Sequence, residues 1–476
     1  MTSTPDSGDA GVRVRFAPSP TGFFHVGSAR TALWNWLFAR RYGGSFVLRI
    51  EDTDKERNRE EWVDGILSAM RWLDIDWDEG PYRQSERGEL YRAAATRLHD
   101  DGRAYFCDCT REDVEARVPP GAPPGYDGFC RDRGLEAGPG RALRFRVPDT
   151  GTTLVRDLIR GDVTFANDSI QDFVIARPNG DALFVLAVVV DDMDMRITHV
   201  VRGEEHLPTT PKAVLLWEAL GGPALPVFAH VPVLVNEARR KLSKRRDKVA
   251  LEDYRAQGFL ADAMSNYLVL LGWSPSDGRE ILTREEMIAE FSLEDVNNSP
   301  AFFDERKLLH FNGIYIREMA VEAFIDACLP FVTADAVVWR DAFDPAVFRV
   351  LAPLAQGRVG TLAEVPGYVA FAFSDEIEID PSSYDKAIAG DPGAAEILSL
   401  SRARFVECPF EAESLKLELE GIAEEVGRKL SKAQAPVRVA TMGRTVGLPL
   451  FESLAVLGRE RTLSRLDAVL ARLDAR

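Results

Sequence analysis

The sequence predicts an α/β fold for the first half of the chain and an all-helical second half. Strand-like and helix-like periodicities alternate along Arg13–Ile50. Ala182–Val190 is a continuous apolar run, which is typical of a parallel strand buried on both faces. From Leu251 onward, apolar residues follow helical spacing, and glycine and proline interrupt them. Together these patterns indicate a parallel sheet covered by helices, followed by a helical region.

The first strand–helix–strand unit has the features of a phosphate-binding loop. Arg13–Ala17 alternates charged and apolar residues like a short strand, and the prolines and glycine of Pro18–Gly22 stop it. A helix begins near Gly27, and Ser45–Ile50 is again rich in strand-forming residues. A helix N-terminus offers unpaired N–H groups and the positive end of the helix dipole. We therefore expect an anionic ligand at this helix start, close to His25.

The composition is that of an ordinary globular protein, long enough for roughly two to four domains. Hydrophobic residues make up 46% and charged residues 28% of the 476 residues, and the formal net charge is −17. This charge argues against indiscriminate binding of nucleic acid. However, seven of the ten residues from Arg239 to Lys248 are basic. An acidic body with such a local basic surface can still bind a specific polyanion.

The sequence predicts a soluble cytoplasmic protein. Its start, MTSTPDSGDAGV, lacks the basic residues and apolar run of a signal peptide and predicts a disordered tail over residues 1–11. Ala182–Val190 is too short to span a bilayer. Five cysteines, an odd number in a long chain, do not make a disulfide framework, so we expect a reducing compartment.

Two short motifs, far apart in the chain, match a known pair. His25–Ser28 reads HVGS at the predicted helix start, and Lys241–Lys244 reads KLSK in the basic segment. They resemble the HIGH and KMSKS motifs of the class I aminoacyl-tRNA synthetases. The surrounding RFAPSPTG, RIEDTD, VVVDD, THVVRGEE and KLSKR occur in order and narrow the resemblance to the bacterial-type glutamyl branch. The resemblance covers essentially the whole chain.

The resemblance implies a Rossmann-like class I synthetase catalytic domain with an inserted acceptor-binding domain, followed by all-helical stem-contact and anticodon-binding domains. The expected boundaries are 12–104 and 182–250 for the two halves of the catalytic domain, 105–181 for the insertion, 251–318 for the stem-contact domain and 319–476 for the anticodon-binding domain.

The resemblance also implies ATP with Mg²⁺ as a substrate complex. Activation of an amino acid needs no general base, because its carboxylate is already ionised near neutral pH. Catalysis then consists of holding the reactants in line and neutralising charge as pyrophosphate leaves. The implied catalytic residues are His25, Gly27, Lys241 and Lys244. The implied ATP-binding residues are Pro18, Gly22, His25, Gly27, Ser28 and Lys244.

A glutamate site needs cations for two carboxylates and an anion for the ammonium group. The resemblance implies Arg15, Ser19, Glu51, Phe184 and Arg202 as the glutamate-binding residues. Two positions depart from the family pattern. Phe184 stands where the family usually has a tyrosine, and Val188 replaces a residue that is often polar. We therefore expect one or two hydrogen bonds to the substrate to be missing or rebuilt.

Three cysteines of the predicted insertion have the spacing of a structural zinc site. Cys107 and Cys109 are followed, after a loop, by Cys130, and thiolates so placed suit a tetrahedral site. The usual fourth ligand, a histidine, is replaced here by Asp132. Some family members use a tyrosine four residues before the third cysteine, and Tyr126 occupies that position. The sequence leaves open whether these residues bind Zn²⁺ or are simply buried or free thiols.

The KLSK sequence occurs twice, at Lys241–Lys244 and at Lys429–Lys432. The first copy follows a predicted strand and lies in a loop too charged to belong to a core. The second lies beside a stripe of apolar residues at helical spacing, so we expect it on the surface of a helix. Only the first copy is a catalytic candidate.

Arg358 is the candidate for anticodon recognition. It aligns with the family arginine that separates glutamate tRNA from glutamine tRNA at the third anticodon base. A guanidinium can donate to the acceptors of an exposed pyrimidine and is hindered by the bulk and N–H groups of guanine.

The resemblance therefore implies glutamate–tRNA ligase activity. The enzyme would form glutamyl-adenylate from ATP and L-glutamate, then acylate the terminal 2′-hydroxyl of tRNA(Glu); the resemblance suggests a monomer. One alternative is a glutaminyl-tRNA synthetase, whose carboxyl-terminal part is usually a β-barrel rather than helical. Others are a non-catalytic tRNA-binding paralogue, which would need a broken nucleotide site, and a generic nucleotidyltransferase, which would lack RIEDTD and VVRGEE.

Overall fold

The computed structural model describes residues 11–54, 56–121, 125–243 and 247–475. The predicted tail therefore lies outside the described residues, except for residue 11. The chain divides into two compact units, one comprising the described residues of Met1–Tyr254 and Ala261–Glu305 and the other those of Arg255–Leu260 and Arg306–Arg476. In the part of the chain that the structure describes, no helix is both long enough and apolar enough to cross a membrane.

The first unit is built on parallel strands. Its strands are β1 Arg13–Phe16, β2 Ser45–Ile50, β3 Glu79–Arg83, β4 Ala104–Cys107, β5 Ala142–Phe145, β6 Thr152–Asp157, β7 Gly161–Ala166, β8 Val174–Ala176, β9 His199–Gly203, β10 Val227–Val231, β11 Leu234–Val235 and β12 Ala301–Phe302. One sheet has the order β1-β2-β3 and another the order β7-β6-β10-β9. A 2.9 Å hydrogen bond from the backbone N–H of Thr198 to the carbonyl of Arg13 joins them at β1 and β9.

Helices cover these strands, and the predicted first strand–helix–strand unit is confirmed as β1, α1 and β2. The helices that begin in this unit are α1 Val26–Arg41, α2 Glu60–Trp72, α3 Gly88–Asp100, α4 Arg111–Arg117, α5 Phe184–Asp194, α6 Thr210–Ala219, α7 Leu251–Ala256, α8 Ala261–Val269, α9 Arg284–Glu290 and α10 Glu305–Glu318. Helix α1 is fixed by its apolar side, where Leu33, Trp34 and Leu37 are fully buried. Because α1 follows β1 and leads to the parallel strand β2, its start lies at the carboxyl ends of these two strands.

The prediction of a strand at Ala182–Val190 is wrong, because this run forms most of helix α5. Its residues from Leu186 to Asp192 are all buried, in a core shared with α3 and α6. A helix surrounded by core is apolar on every side, so its sequence shows no amphipathic period that distinguishes it from a buried strand. Because this run is a helix and not a strand, Asp191 and Asp192 are buried residues of α5 and do not follow the end of a strand.

The segment predicted as an insertion contributes to two sheets. Strands β4, β5 and β8 form a separate antiparallel sheet. Strands β6 and β7 form an antiparallel hairpin, and β6 pairs with β10 through Asp157 and Phe228. The hairpin therefore extends the parallel sheet and brings Asp157 beside β10.

The second unit is helical in its described residues beyond α10. Its helices are α11 Val321–Val332, α12 Pro345–Gln356, α13 Val365–Phe373, α14 Pro381–Tyr384, α15 Ala394–Glu407, α16 Ala412–Glu425, α17 Leu430–Met442, α18 Leu450–Leu457 and α19 Arg459–Asp474. A continuous apolar core lies between them.

The second KLSK copy lies at a helix start rather than on the face of one continuous helix. Gly427 has a positive φ of 65°, a conformation that favours glycine, and the chain turns there between α16 and α17. Lys429 precedes α17, and Lys432 is exposed in its first turn.

Candidate active site

A cleft of about 550 Å³ opens in the first unit at the carboxyl ends of β1, β9 and β10 and the start of α1. In parallel α/β sheets this edge is where ligands bind. The described residues that the sequence assigns to ATP, glutamate or catalysis all line the cleft; they are Arg15, Pro18, Ser19, Gly22, His25, Gly27, Ser28, Glu51, Phe184, Arg202 and Lys241. Lys244 lies outside the described residues.

His25 caps the start of α1. Its Nδ1 accepts a hydrogen bond of 2.9 Å from the backbone N–H of Gly27. In a neutral imidazole, the proton then lies on Nε2, which makes that atom a donor. A Cβ on residue 27 would lie only 3.2 Å from His25 Nδ1, so Gly27 leaves room for this ring orientation. The HVGS motif thus combines a helix N-terminus with an oriented N–H donor.

Arg15 and Glu51 are held by a buried cluster of charges behind the cleft. Arg15 Nε lies 3.1 Å from Asp192 Oδ1, and Arg49 bridges Asp192 at 2.8 Å and Glu51 at 3.1 Å. Burial raises the pKa of Glu51, and the two arginines oppose this shift. Burial would also raise the pKa of Asp192, but Arg15 and Arg49 outweigh it and lower that pKa. The cleft therefore presents a cation and an anion in fixed positions.

Arg202 presents a cation that lacks a carboxylate partner. It donates to Thr210 Oγ1 at 2.8 Å and approaches His230 Nε2 at 3.4 Å, both neutral acceptors. Among the described residues, no carboxylate forms an ion pair with it. Burial and the nearby Arg15 lower the pKa of Arg202 to about 10, so it stays charged at neutral pH. A partly buried charge without a counterion is costly, and an anionic ligand would relieve that cost.

Phe184 and Val188 make one wall of the cleft apolar. The Phe184 ring is 37% exposed and stacks on His206, with 5.8 Å between ring centroids. Val188 is buried below it on α5. Burial lowers the pKa of His206 to about 4, so this ring is neutral. Phe184 therefore offers the cleft an apolar ring without the hydroxyl that a tyrosine would supply.

Lys241 meets an acidic partner at the cleft. Its Nζ lies 3.2 Å from Glu205 Oε1. Glu205 and His206 also line the cleft, although the sequence had suggested no role for them. The same is true of Arg30, a buried arginine of α1. Burial lowers the pKa of Arg30 to about 9. Glu205 ends the THVVRGEE motif, whereas His206 and Arg30 lie just beyond the THVVRGEE and HVGS motifs, so only Glu205 had a signal in the sequence.

Comparison with known families agrees with this geometry. Residues 11–310 match the family described as "tRNA synthetases class I (E and Q), catalytic domain", and residues 323–470 match "Anticodon binding domain". The chain belongs to the class I E and Q tRNA synthetases. The helical second unit of this synthetase thus corresponds to an anticodon-binding domain.

Individual relatives are similar over nearly the whole chain. The glutamate–tRNA ligase of Frankia casuarinae is 59% identical over 98% of this chain and 99% of its own length. That of Salinispora arenicola is 59% identical over 97% and 99%. A crystal structure of a glutamate tRNA ligase from Elizabethkingia meningosepticum, in complex with its amino acid, is 30% identical over 97% of this chain and 99% of that chain, with a TM-score of 0.84.

The cysteines of this synthetase come together as the sequence predicts. The Sγ atoms of Cys107, Cys109 and Cys130 all lie within 4.8 Å of one another, and Cys107 Sγ lies 3.6 Å from the Tyr126 hydroxyl. Zinc bonds to sulfur of ~2.3 Å in a tetrahedron place sulfurs ~3.8 Å apart, so the donor set fits Zn²⁺. Asp132 instead forms an ion pair with Arg146 at 2.9 Å.

Arginines surround this cysteine cluster. Arg117 donates to Cys109 Sγ at 3.2 Å, Arg133 donates to Cys130 Sγ at 3.3 Å, and the guanidinium of Arg144 lies 3.8 Å from the centroid of the Tyr126 ring. Positive neighbours favour thiolates, the form that binds metal, whereas burial and the neighbouring Cys130 raise the pKa of Cys109 to about 12.

Arg358 lies in the second unit just after α12. Its side chain is exposed, while its backbone N–H donates to the carbonyl of Ala355. The Tyr368 hydroxyl lies 3.5 Å from the Arg358 carbonyl, and burial together with the charge of Arg358 lowers the pKa of Arg438. An exposed arginine at a helix end, within electrostatic range of a second arginine, can reach an RNA base or phosphate.

Proposed function

We propose that this synthetase is a glutamate–tRNA ligase. It activates L-glutamate with ATP to glutamyl-adenylate and pyrophosphate, and it then transfers the glutamyl group to the 2′-hydroxyl of the terminal adenosine of tRNA(Glu). The observation that carries the proposal is Arg202, a cleft cation without a carboxylate partner among the described residues. Its charge requires an anionic substrate group, and the side chain of glutamate supplies one.

The charged groups of the cleft match the charged groups of glutamate. Arg15 and Arg202 bind its two carboxylates, and Glu51 binds its ammonium group; Ser19 adds a hydroxyl, and Phe184 packs against the substrate carbons. The buried Asp192 and Arg49 keep Arg15 and Glu51 in place. Glutamine carries no charge on its side chain and would leave Arg202 uncompensated, at a cost that supports discrimination.

The start of α1 binds ATP. Pro18, Gly22 and Ser28 line the nucleotide pocket, Gly27 leaves it open, and the Nε2–H of His25 donates to a phosphate oxygen. Lys241 and Lys244 neutralise the charge that develops as pyrophosphate leaves, with Mg²⁺ bound to the phosphates. Such preorganised donors are worth ~3 kcal/mol each in a transition state.

The remaining parts of the chain bind tRNA. We assign the segment 105–181 to the acceptor end, 251–318 to the stem and the helical region from 319 onward to the anticodon, where Arg358 reads the third base. The match of residues 323–470 to an anticodon-binding family supports the last assignment.

We also propose a structural Zn²⁺ held by Cys107, Cys109, Cys130 and Tyr126. The mutual distances of their ligand atoms support it. Such an ion would contribute directly to folding of this segment and takes no part in the chemistry at the cleft. The proposed location is the cytoplasm, which the free cysteines support, and the proposed state is a monomer.

Pyrophosphate exchange tests the proposal. We expect ATP–pyrophosphate exchange that requires L-glutamate, measured with and without tRNA(Glu), and glutamyl-tRNA as the final product. Matched reactions with L-glutamine and L-aspartate serve as controls. Exchange that is equal with glutamine, or absent with glutamate under both tRNA conditions, would refute the assignment.

A further inference from the structure

Behind Arg202, hydrogen bonds connect the guanidinium to a buried carboxylate. Arg202 contacts Thr210 Oγ1 at 2.8 Å and His230 Nε2 at 3.4 Å, and His230 Nδ1 lies 2.5 Å from Asp157 Oδ2. We infer that Asp157, His230 and Thr210 are positioning residues, which fix the Arg202 guanidinium for the side-chain carboxylate of the substrate. The inference rests on the proposed glutamate-binding function.

The positioning residues come from separate elements of the fold. Asp157 ends β6, His230 lies in β10, and Thr210 begins α6. Strands β6 and β10 are paired next to Asp157. All three side chains are more than nine-tenths buried, and Thr210 and His230 are fully buried. A guanidinium supported from rigid elements holds its geometry more closely than one supported from loops.

Asp157 sets the tautomer of His230. Its carboxylate accepts from the backbone N–H groups of Ile159 at 2.9 Å, Arg160 at 2.8 Å and His230 at 3.0 Å, which hold it still. The proton of the His230 ring then lies on Nδ1, facing Asp157, and Nε2 is an acceptor for Arg202. Burial lowers the pKa of His230, so the ring stays neutral at physiological pH.

The neutral acceptors explain how Arg202 is oriented without losing its charge. A carboxylate in direct contact with Arg202 would orient it but would also compete with the substrate for the same cation. Thr210 and His230 accept hydrogen bonds while adding no net charge, and the negative charge of Asp157 lies behind the His230 ring. The Thr210 hydroxyl also lies 2.9 Å from His230 Nε2 and 3.0 Å from the carbonyl oxygen of His206, a cleft residue, and its single proton is donated to one of these two acceptors. Arg202 therefore keeps both its side-chain orientation and its full positive charge.

His199 provides a matched control. It is a partly buried histidine of the neighbouring strand β9, and burial lowers its pKa to about 4. It contacts the Thr198 hydroxyl at 2.8 Å and packs edge-on against Phe38, with 5.0 Å between ring centroids. A change at His199 disturbs the same sheet without touching the contacts of Arg202.

The test compares KM values in pyrophosphate exchange with tRNA(Glu) present. We expect Thr210→Val and His230→Leu to raise the KM for glutamate by about tenfold or more, because each removes an acceptor for a charged donor. The KM for ATP and the KM for tRNA in aminoacylation should change less than about twofold. Thr210→Ser, which keeps the hydroxyl, and His199→Gln should retain a glutamate KM near that of the wild type.

The inference would be overturned if Thr210→Val and His230→Leu left the glutamate KM unchanged, or raised the KM values of ATP and glutamate equally. It would also be overturned if Thr210→Ser were as impaired as Thr210→Val. If His230→Leu failed to fold, the two Thr210 variants would decide. A wild-type protein inactive with glutamate would instead refute the proposed function; an active wild type with unchanged variants refutes the positioning role alone.

Discussion

Arg49 and Asp192 form a buried ion pair behind the cleft, with Nη1 of Arg49 2.8 Å from Oδ1 of Asp192. Asp192 also accepts from Arg15, and Arg49 also donates to Glu51. One ion pair thus links the cation and the anion that are proposed to bind glutamate. Buried pairs seldom stabilise a fold more than apolar packing would, but losing one partner leaves an uncompensated charge. We therefore interpret the Arg49–Asp192 pair as orienting Arg15 and Glu51 in the cleft.

Asp192→Asn is expected to destabilise the first unit by about 3 kcal/mol, because Arg15 and Arg49 lose a shared counterion. Urea unfolding followed by tryptophan fluorescence measures this, since seven of the eight tryptophans precede residue 306. Glu115→Gln, which removes the exposed pair with Arg111, is the control and should leave unfolding unchanged. Equal unfolding curves for Asp192→Asn and the wild type would contradict the role assigned to the pair.

Lys244→Ala is expected to lower kcat for adenylate formation by ~10²–10³, with little change in tRNA affinity, because a cation that stabilises the leaving pyrophosphate is lost. Pyrophosphate exchange and a tRNA-binding titration measure the two quantities. Lys432→Ala, in the second KLSK copy at the start of α17, should have almost no effect. Similar losses in both variants would show that the wrong copy has been chosen.

Elemental analysis should find about one zinc per chain. The double variant Cys107→Ser/Cys109→Ser should lose the metal and melt at a lower temperature, since a structural zinc contributes to folding. Cys328→Ser, a change at a buried cysteine of the second unit, should keep the metal. Metal-free wild-type protein with the same melting temperature as the zinc-treated protein would argue against the site.

Arg358→Gln is expected to let the enzyme glutamylate tRNA(Gln), because the guanidinium that disfavours guanine at the third anticodon base is gone. The ratio of kcat/KM for tRNA(Glu) and tRNA(Gln) measures the change. Arg349→Gln, on α12 and paired with Glu322, is a matched control that should keep the wild-type ratio. If the unmodified enzyme already glutamylates tRNA(Gln) as efficiently, Arg358 is not the discriminator.

Acid should destabilise the first unit partly through His199. Burial lowers its pKa from 6.5 to about 4, so between these values the unfolded chain takes up a proton that the folded chain excludes. The stabilisation is complete above pH 6.5 and declines as pH falls toward 4. Unfolding midpoints measured from pH 7.5 to pH 5 should therefore fall less steeply in His199→Gln. Parallel pH profiles for the two proteins would rule out this contribution.

Short-range patterns in the sequence predicted the first strand–helix–strand unit, and the family resemblance supplied the residues that line the cleft. The turn at Pro18–Gly22, the helix start at His25 and the strand Ser45–Ile50 depend on neighbouring residues, and the structure has them as β1, α1 and β2. The cysteine cluster was also predictable, because metal ligands require specific residue types at narrow spacings.

The sequence by itself determined the motifs and the helical second half, because local periodicity and local chemistry carry that information. Only the tertiary structure decided that Ala182–Val190 belongs largely to a helix, since a segment buried on every side has no diagnostic period. It alone also decided that Arg202 has neutral partners, and that Asp157 and His230, 73 residues apart, meet beneath it. Contacts at such separations follow from how strands pair and helices pack, and no local pattern in the sequence encodes them.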